Sequence, residues 1–108
     1  MRILALEHDL PGAPRPDLRD ILRAEAAAVW DLQKHGFLRE IWFTAGRRRA
    51  VIILECTGAP EARSFLATLP LVREGLSEFE VLELSAYDGY ERLFGAGLAP
   101  AASPGQAP

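Results

Sequence analysis

A chain of 108 residues is long enough for one domain. Its 49% hydrophobic content excludes a disordered polypeptide, and 12 Lys+Arg against 15 Asp+Glu, a net charge of −3, exclude the basic surplus of a nucleic-acid binder. No apolar run approaches the ~20 residues of a membrane span, no signal peptide is expected from a start that reaches Glu7 and His8 so soon, and the single Cys56 forbids an internal disulfide.

In chain order, Arg2 to His8 reads as a strand that ends at the turn-forming Asp9-Leu10-Pro11-Gly12-Ala13-Pro14. A helix is expected from near Asp17, whose carboxylate is a suitable acceptor for free N–H groups of the first turn, to about His35. Gly36 then stops it in the left-handed conformation. At about 100° per residue, Leu18, Leu22, Val29 and Leu32 form an apolar stripe flanked by Ile21 and Ala28. Arg19, Asp20, Arg23, Asp31 and Lys34 fall opposite, and Glu25 sits in the middle of the apolar stripe. Phe37 to Ala45 is a second strand, and Gly46-Arg47-Arg48 is a tight turn into a third, Arg49 to Cys56. A second helix, about Pro60 to Leu69, buries Ala62, Phe65, Leu66 and Leu69, with Gly58 as its cap and Glu61 three residues later. Leu69-Pro70-Leu71 breaks it into an irregular turn, and Phe79 to Ala86 is the fourth strand. From Gly95 to Pro108 there is no aromatic residue, no β-branched residue and no periodicity, so the folded domain is residues 1–94 and residues 95–108 read as a disordered tail.

The order β-α-β-β-α-β is that of an α+β, ferredoxin-like fold: an antiparallel four-stranded sheet with two helices on one face. Two helices cover one face only, yet Val51, Ile52, Ile53 and Leu54 are consecutive aliphatic residues. Phe79, Val81, Leu82 and Leu84 likewise supply both faces of the fourth strand. The second face therefore needs a cover, most simply the same face of a second copy. A homodimer, alone or within a higher ring, is expected.

Glu25 is the most informative single residue. A carboxylate among apolar neighbours loses hydration, and its pKa rises towards the range of a general base; the competing reading is a buried structural partner for an arginine. Arg39 is the natural counterpart, placed by strand alternation with Phe37, Ile41 and Phe43, either gripping a substrate carboxylate or enolate or pairing with Glu25. Ile41 and Phe43 are then candidate substrate-binding residues. Trp42, on the other strand face with Leu38, Glu40 and Thr44, either lines a ligand pocket or fills a packing layer. Trp30 lies off the helical stripe and reads as a packing or interface residue. His8, at the end of the first strand, is a candidate acid or base. His35 suits the negative end of its helix, Cys56 reads as a buried inert thiol, and Arg47-Arg48-Arg49 reads as a solvated hairpin tip. There is no phosphate-binding glycine loop, no nucleophilic triad and no metal-ligand spacing. No metal or cofactor is expected.

Glu25, the run Gly36-Phe37-Leu38-Arg39, Trp42, Ala45-Gly46 at the hairpin, Leu69-Pro70-Leu71 and Glu80-Val81 occur in an order and spacing that resemble the muconolactone delta-isomerase family over roughly residues 1–94. The resemblance implies a dimeric α+β barrel of ferredoxin-like subunits, often assembled into larger rings. It also implies a cofactor-free double-bond shift in an unsaturated lactone during aromatic catabolism. It carries Glu25 and Arg39 over as the charged positions that survive. Leu22 and Phe43 stand where the family pattern has basic residues, and Glu40 where it has a histidine, which makes the pocket less basic. The leading expectation is an isomerase in which Glu25 removes a proton beside a carbonyl, Arg39 steadies the enolate, and Glu25 or His8 returns the proton. The alternatives are a non-catalytic homo-oligomer that binds a small hydrophobic acid, and a monooxygenase- or cyclase-like barrel.

Overall fold

Residue alternation along the first strand sets the frame. In β1 (Arg2–Asp9) Ile3, Ala5 and Glu7 are buried, while Leu4, Leu6 and His8, pointing to the other face, are only partly covered. The computed structural model describes residues 1–94; the tail expected over 95–108 lies outside the described residues. After β1 come α1 (Leu18–Lys34), β2 (Leu38–Phe43), β3 (Ala50–Glu55), α2 (Ala59–Ala67), a short α3 (Pro70–Arg73), β4 (Ser77–Leu84) and a 3₁₀ turn at Gly89–Leu93. The sheet order is β2-β3-β1-β4 with every neighbouring pair antiparallel, the ferredoxin-like α+β arrangement. No described helix is long and apolar enough to cross a membrane.

The helix ends follow local chemistry. At the start of α1 the Asp17 carboxylate makes no capping bond. It is held instead by Arg15, whose Nε and Nη2 donate to it at 3.0 and 2.9 Å. Arg15 Nη2 also donates to Glu74 at 2.9 Å, which ties the entry of α1 to the exit of α3. At the other end Gly36 has φ +84°; its N–H reaches the Gln33 carbonyl and the Phe37 N–H reaches that of Leu32, a Schellman closure that needs the positive φ. Gly58 precedes α2, and Glu61 accepts from the Thr57 N–H at 2.9 Å, while Glu83 on β4 accepts from the Ala59 N–H at 2.8 Å. The stretch after Leu69, expected to be irregular, forms the single helical turn α3, because Pro70 takes the first helical position where its missing N–H costs nothing.

Two expectations about the β2–β3 hairpin are corrected. The connection is not a tight turn but residues 44–49, closed by Thr44, whose N–H donates to the Arg49 carbonyl at 2.9 Å and whose hydroxyl bonds the Arg47 carbonyl. A bulge also separates Leu38, opposite Leu54, from Glu40, opposite Ile53. The bulge inserts Arg39 and shifts the alternation by one residue. Leu38, Ile41 and Phe43 therefore share the helix face, and Trp42, opposite Val51, takes the outer face. Arg39 is consequently not in register with Ile41 and Phe43. It is exposed, and its Nε donates 2.8 Å to the Gly36 carbonyl.

The core lies between the helices and one face of the sheet. Ile3, Leu38, Ile52, Leu54 and Leu69 are almost wholly buried, joined by Ala62 and Leu66 of α2. Cys56 is buried, its thiol against the Gly58 carbonyl. The outer face carries Leu4, Leu6, Val51 and Ile53, with Trp42, Leu82 and Leu84 at 64, 45 and 40% exposure. Leu54 has no exposed surface, so Leu54→Ala is expected to cost about 2–5 kcal/mol, read as a lower midpoint in urea unfolding with an unchanged slope.

Candidate active-site cavity

The apolar stripe of α1 does not seat wholly on the sheet. Ile21 is its only buried residue, while Leu18 and Leu22 remain 41 and 48% exposed. Together with Val29 and Trp30 they form one wall of a cavity of about 810 Å³, within the usual range for small-molecule sites. The facing wall is the sheet, through Glu7, Ile41, Phe43, Ile52 and Phe79, and α3 with its flanks closes one side through Leu71 and Leu76. The stripe that the helical period identifies is thus in good part a cavity wall.

Glu25 projects from the middle of this wall and is half-buried. Its Oε1 accepts the Leu71 N–H at 2.9 Å, satisfying a donor in the first turn of α3 that the helix itself leaves unpaired. Its Oε2 accepts no hydrogen bond among the described residues. Burial is the main influence on its proton and raises its pKa above the ordinary carboxylate range. The Leu71 N–H works against this, the charge of Glu7 adds to it, and the charge of Arg73 again opposes it. The arginine partner considered from sequence is not there, since Arg39 and Glu25 form no ion pair.

Glu7 is the second carboxylate of the cavity and is 7% exposed. Both of its oxygens are engaged: Oε1 accepts the Ala50 N–H at 2.9 Å, and Oε2 accepts the Ser77 hydroxyl at 2.8 Å. It joins the start of β3 to the start of β4 across β1. Asp9, next in phase along β1, lines the same cavity near its rim. Arg48, from the hairpin tip, is the cation of the lining, with its guanidinium carbon 4.3 Å from the centroid of the Phe43 ring.

Of the residues singled out from sequence, the fold brings Glu25, Ile41 and Phe43 to one cavity. Arg39, His8 and Trp42 are not in its lining. His8 lies on the outer face beside Glu80, with 3.4 Å between Nε2 and Oε1, and the Trp42 indole N–H donates to Glu40 at 3.0 Å. The reading of single residues missed Glu7, Asp9, Trp30 and Arg48. Glu7 had a signal, because alternation from Ile3 and Ala5 places it on the buried face; Arg48 had none, because its position depends on the course of the hairpin loop. Among the described residues no group of three or more His, Cys, Asp or Glu side chains is placed to hold a metal ion.

Comparison with known proteins places this architecture. In fold the chain is similar to muconolactone isomerase, solved at 3.3 Å, with a TM-score of 0.70 and 21% identity over 82% of this chain and 92% of that one. It is also similar to 5-chloro-2-hydroxyhydroquinone dehydrochlorinase from Burkholderia phenoliruptrix AC1100, solved in complex with 2,5-dihydroxybenzoquinone, with a TM-score of 0.60 and 20% identity over 82% and 98% of the two chains. At these identities the likeness is one of fold. A search of curated proteins finds no match. The family model of muconolactone delta-isomerase matches residues 5–88, most of the described domain, and the chain belongs to that family.

Proposed function

We propose that this protein is a cofactor-independent isomerase that shifts a double bond in a small unsaturated lactone or related carbonyl compound, acting in the cytoplasm in aromatic-compound metabolism. The observation that carries the reading is Glu25: a half-buried carboxylate in the wall of an apolar cavity, one oxygen fixed by the Leu71 N–H and the other open. Oε2 takes a proton from the carbon beside the substrate carbonyl, and the electron pair moves onto the carbonyl oxygen as an enolate. The same carboxyl then gives the proton back at the far end of the conjugated system, which leaves the double bond moved and Glu25 unchanged. A raised pKa suits both halves of this cycle, since the group must accept and release the proton with similar ease. Arg48 is the cation available to the enolate within the lining. Arg39 and His8, the partners expected from sequence, lie outside the cavity of the protomer, so the reading rests on Glu25 as a single base.

A second reading is favoured by the same Leu71 contact. If Glu25 serves only to satisfy that N–H, the protein is a binding protein whose cavity holds a ligand without transforming it. Gln keeps an acceptor for the N–H but is no base, so one substitution separates the two. Glu25→Gln is expected to lower the rate of the double-bond shift, and of solvent deuterium exchange into an unsaturated lactone, by at least about 10²-fold. Retention of the full rate would sink the isomerase assignment.

The pH dependence has a definite sign. The folded state raises the pKa of Glu25, so it holds this proton more tightly than the unfolded chain does. The contribution of Glu25 therefore favours folding at acid pH and is lost as pH rises from the ordinary carboxylate range through the raised value. Glu25→Gln should be more stable than the parent above that window, and the difference should shrink below it, as measured by urea unfolding across the acid-to-neutral range.

The outer sheet face supports self-association, as a homodimer or a larger ring. Leu4, Leu6, Trp42, Val51, Ile53, Leu82 and Leu84 form an apolar layer that the protomer leaves open. A charge set into this layer, as in Leu82→Glu, is expected to give monomers by light scattering. A variant with the parent's mass in solution would remove this face as the interface.

A further inference from the structure

Among the described residues two side-chain links join α1 and its lead-in to α3, and only one of them belongs to the cavity. The first is Glu25 Oε1, which accepts the Leu71 N–H at 2.9 Å. The second lies outside the lining: Arg15 Nη2 donates to Glu74 Oε1 at 2.9 Å, while its Nε and Nη2 together hold Asp17. The two links meet in one hydrogen-bonded turn. The Glu74 N–H donates to the Pro70 carbonyl and the Leu76 N–H to the Leu71 carbonyl, both at 2.9 Å. We propose that Arg15 is a positioning residue for the base: by clasping Glu74 it holds α3 where the Leu71 N–H meets Glu25. The inference rests on the reading of Glu25 as the base, and it adds a residue that acts on that base from outside the cavity.

The turn is seated at one end only. Leu69 and Pro70 are buried and fix its start in the core. Arg73, Glu74 and Gly75 are exposed, and among the described residues the side-chain bond to this end comes from Arg15. A guanidinium suits the task, because its planar fork bonds Asp17 through two nitrogens and leaves a further Nη2 hydrogen for Glu74. Asp17 stands at the start of α1, so the fork is anchored to the helix that carries Glu25. Release of the far end lets the Leu71 N–H leave Glu25, and the carboxyl is then free to turn about its terminal bond with neither oxygen fixed. Glu7 and Asp9 of β1, Arg48 of the hairpin and Arg73 of α3 are the charged groups around Glu25. Arg15 and Glu74 are not among the charges that act on its proton, so their influence passes through the turn. The Leu71 N–H lowers the proton affinity of Glu25, and its loss raises that affinity.

Arg15→Met and Glu74→Met each cut the clasp, and they change the charge in opposite directions. In the full-length protein the Glu25 carboxyl carbon is followed by NMR across the acid-to-neutral range, and amide hydrogen exchange is read at Leu71. Both variants are expected to move the Glu25 midpoint to higher pH and to speed Leu71 exchange at least about tenfold. The amides of the inner strand β3 should keep the parent's rates, since exposed ion pairs add little to global stability. The double variant should do no more than either single one. Midpoints that move in opposite directions reflect charge alone and overturn the proposal. So does Leu71 exchange at the parent's rate, or accelerated no more than that of β3. Neither readout involves turnover: Glu25→Gln with full rate removes the base, whereas unaltered Leu71 exchange removes the clasp and leaves the base standing.

Discussion

Four strands present two faces, and the helices cover only part of one. That shortfall governs the rest of the structure. α2, together with Ala28, Val29 and Leu32 of α1, packs on the core of Ile3, Ile52, Leu54 and Leu66, while Leu18 and Leu22 of α1 stay uncovered. The space between is held open by contacts at its margins. Arg15 links α1 to α3 through Asp17 and Glu74, and Glu25 links them again through the Leu71 N–H. A better-packed version of this layer would have a larger core and no cavity.

Carboxylates are costly in such a place, and the two deepest ones are tolerated for different reasons. Glu7 is stabilised by two donors that would otherwise be buried and unpaired, an N–H of β3 and a hydroxyl of β4. Glu25 has one donor, and burial acts on the remainder as a raised proton affinity, reinforced by the nearby charge of Glu7. One carboxylate is therefore spent on structure, while the other is left with an open oxygen facing an apolar space. That asymmetry between two glutamates is the feature on which the proposed proton transfer rests.

The other sheet face has the opposite character. It carries charge at both ends, Arg2 with Glu55 at one and His8 with Glu80 at the other, and Glu40 beside Trp42 at its edge. Its apolar layer is continuous from Leu82 through Leu4 to Ile53, positions that the strand pairing sets side by side. The apolar excess of the composition is divided between the two faces: part lines a cavity, and part awaits a second surface.

The order of the four strands and two main helices, the closure of α1 at Gly36 and the two-sided apolar character of the third strand were legible in the sequence, because each follows from contacts a few residues apart or from a repeat of period 2 or 3.6. So was Glu25, which breaks the apolar stripe of its own helix. The single-turn α3 was not, since a four-residue helix carries no period. The environment of Arg39 was not legible either: one inserted residue in β2 reverses the facing of everything beyond it, and a bulge is set by pairing with β3, not by the strand's own composition. Whether Glu25 meets an arginine or a backbone N–H, and whether Glu7 and Arg48 share its cavity, was decided only by tertiary structure. Those neighbours come from elements distant in the chain, and a sequence specifies which residues prefer burial without stating which of them will meet.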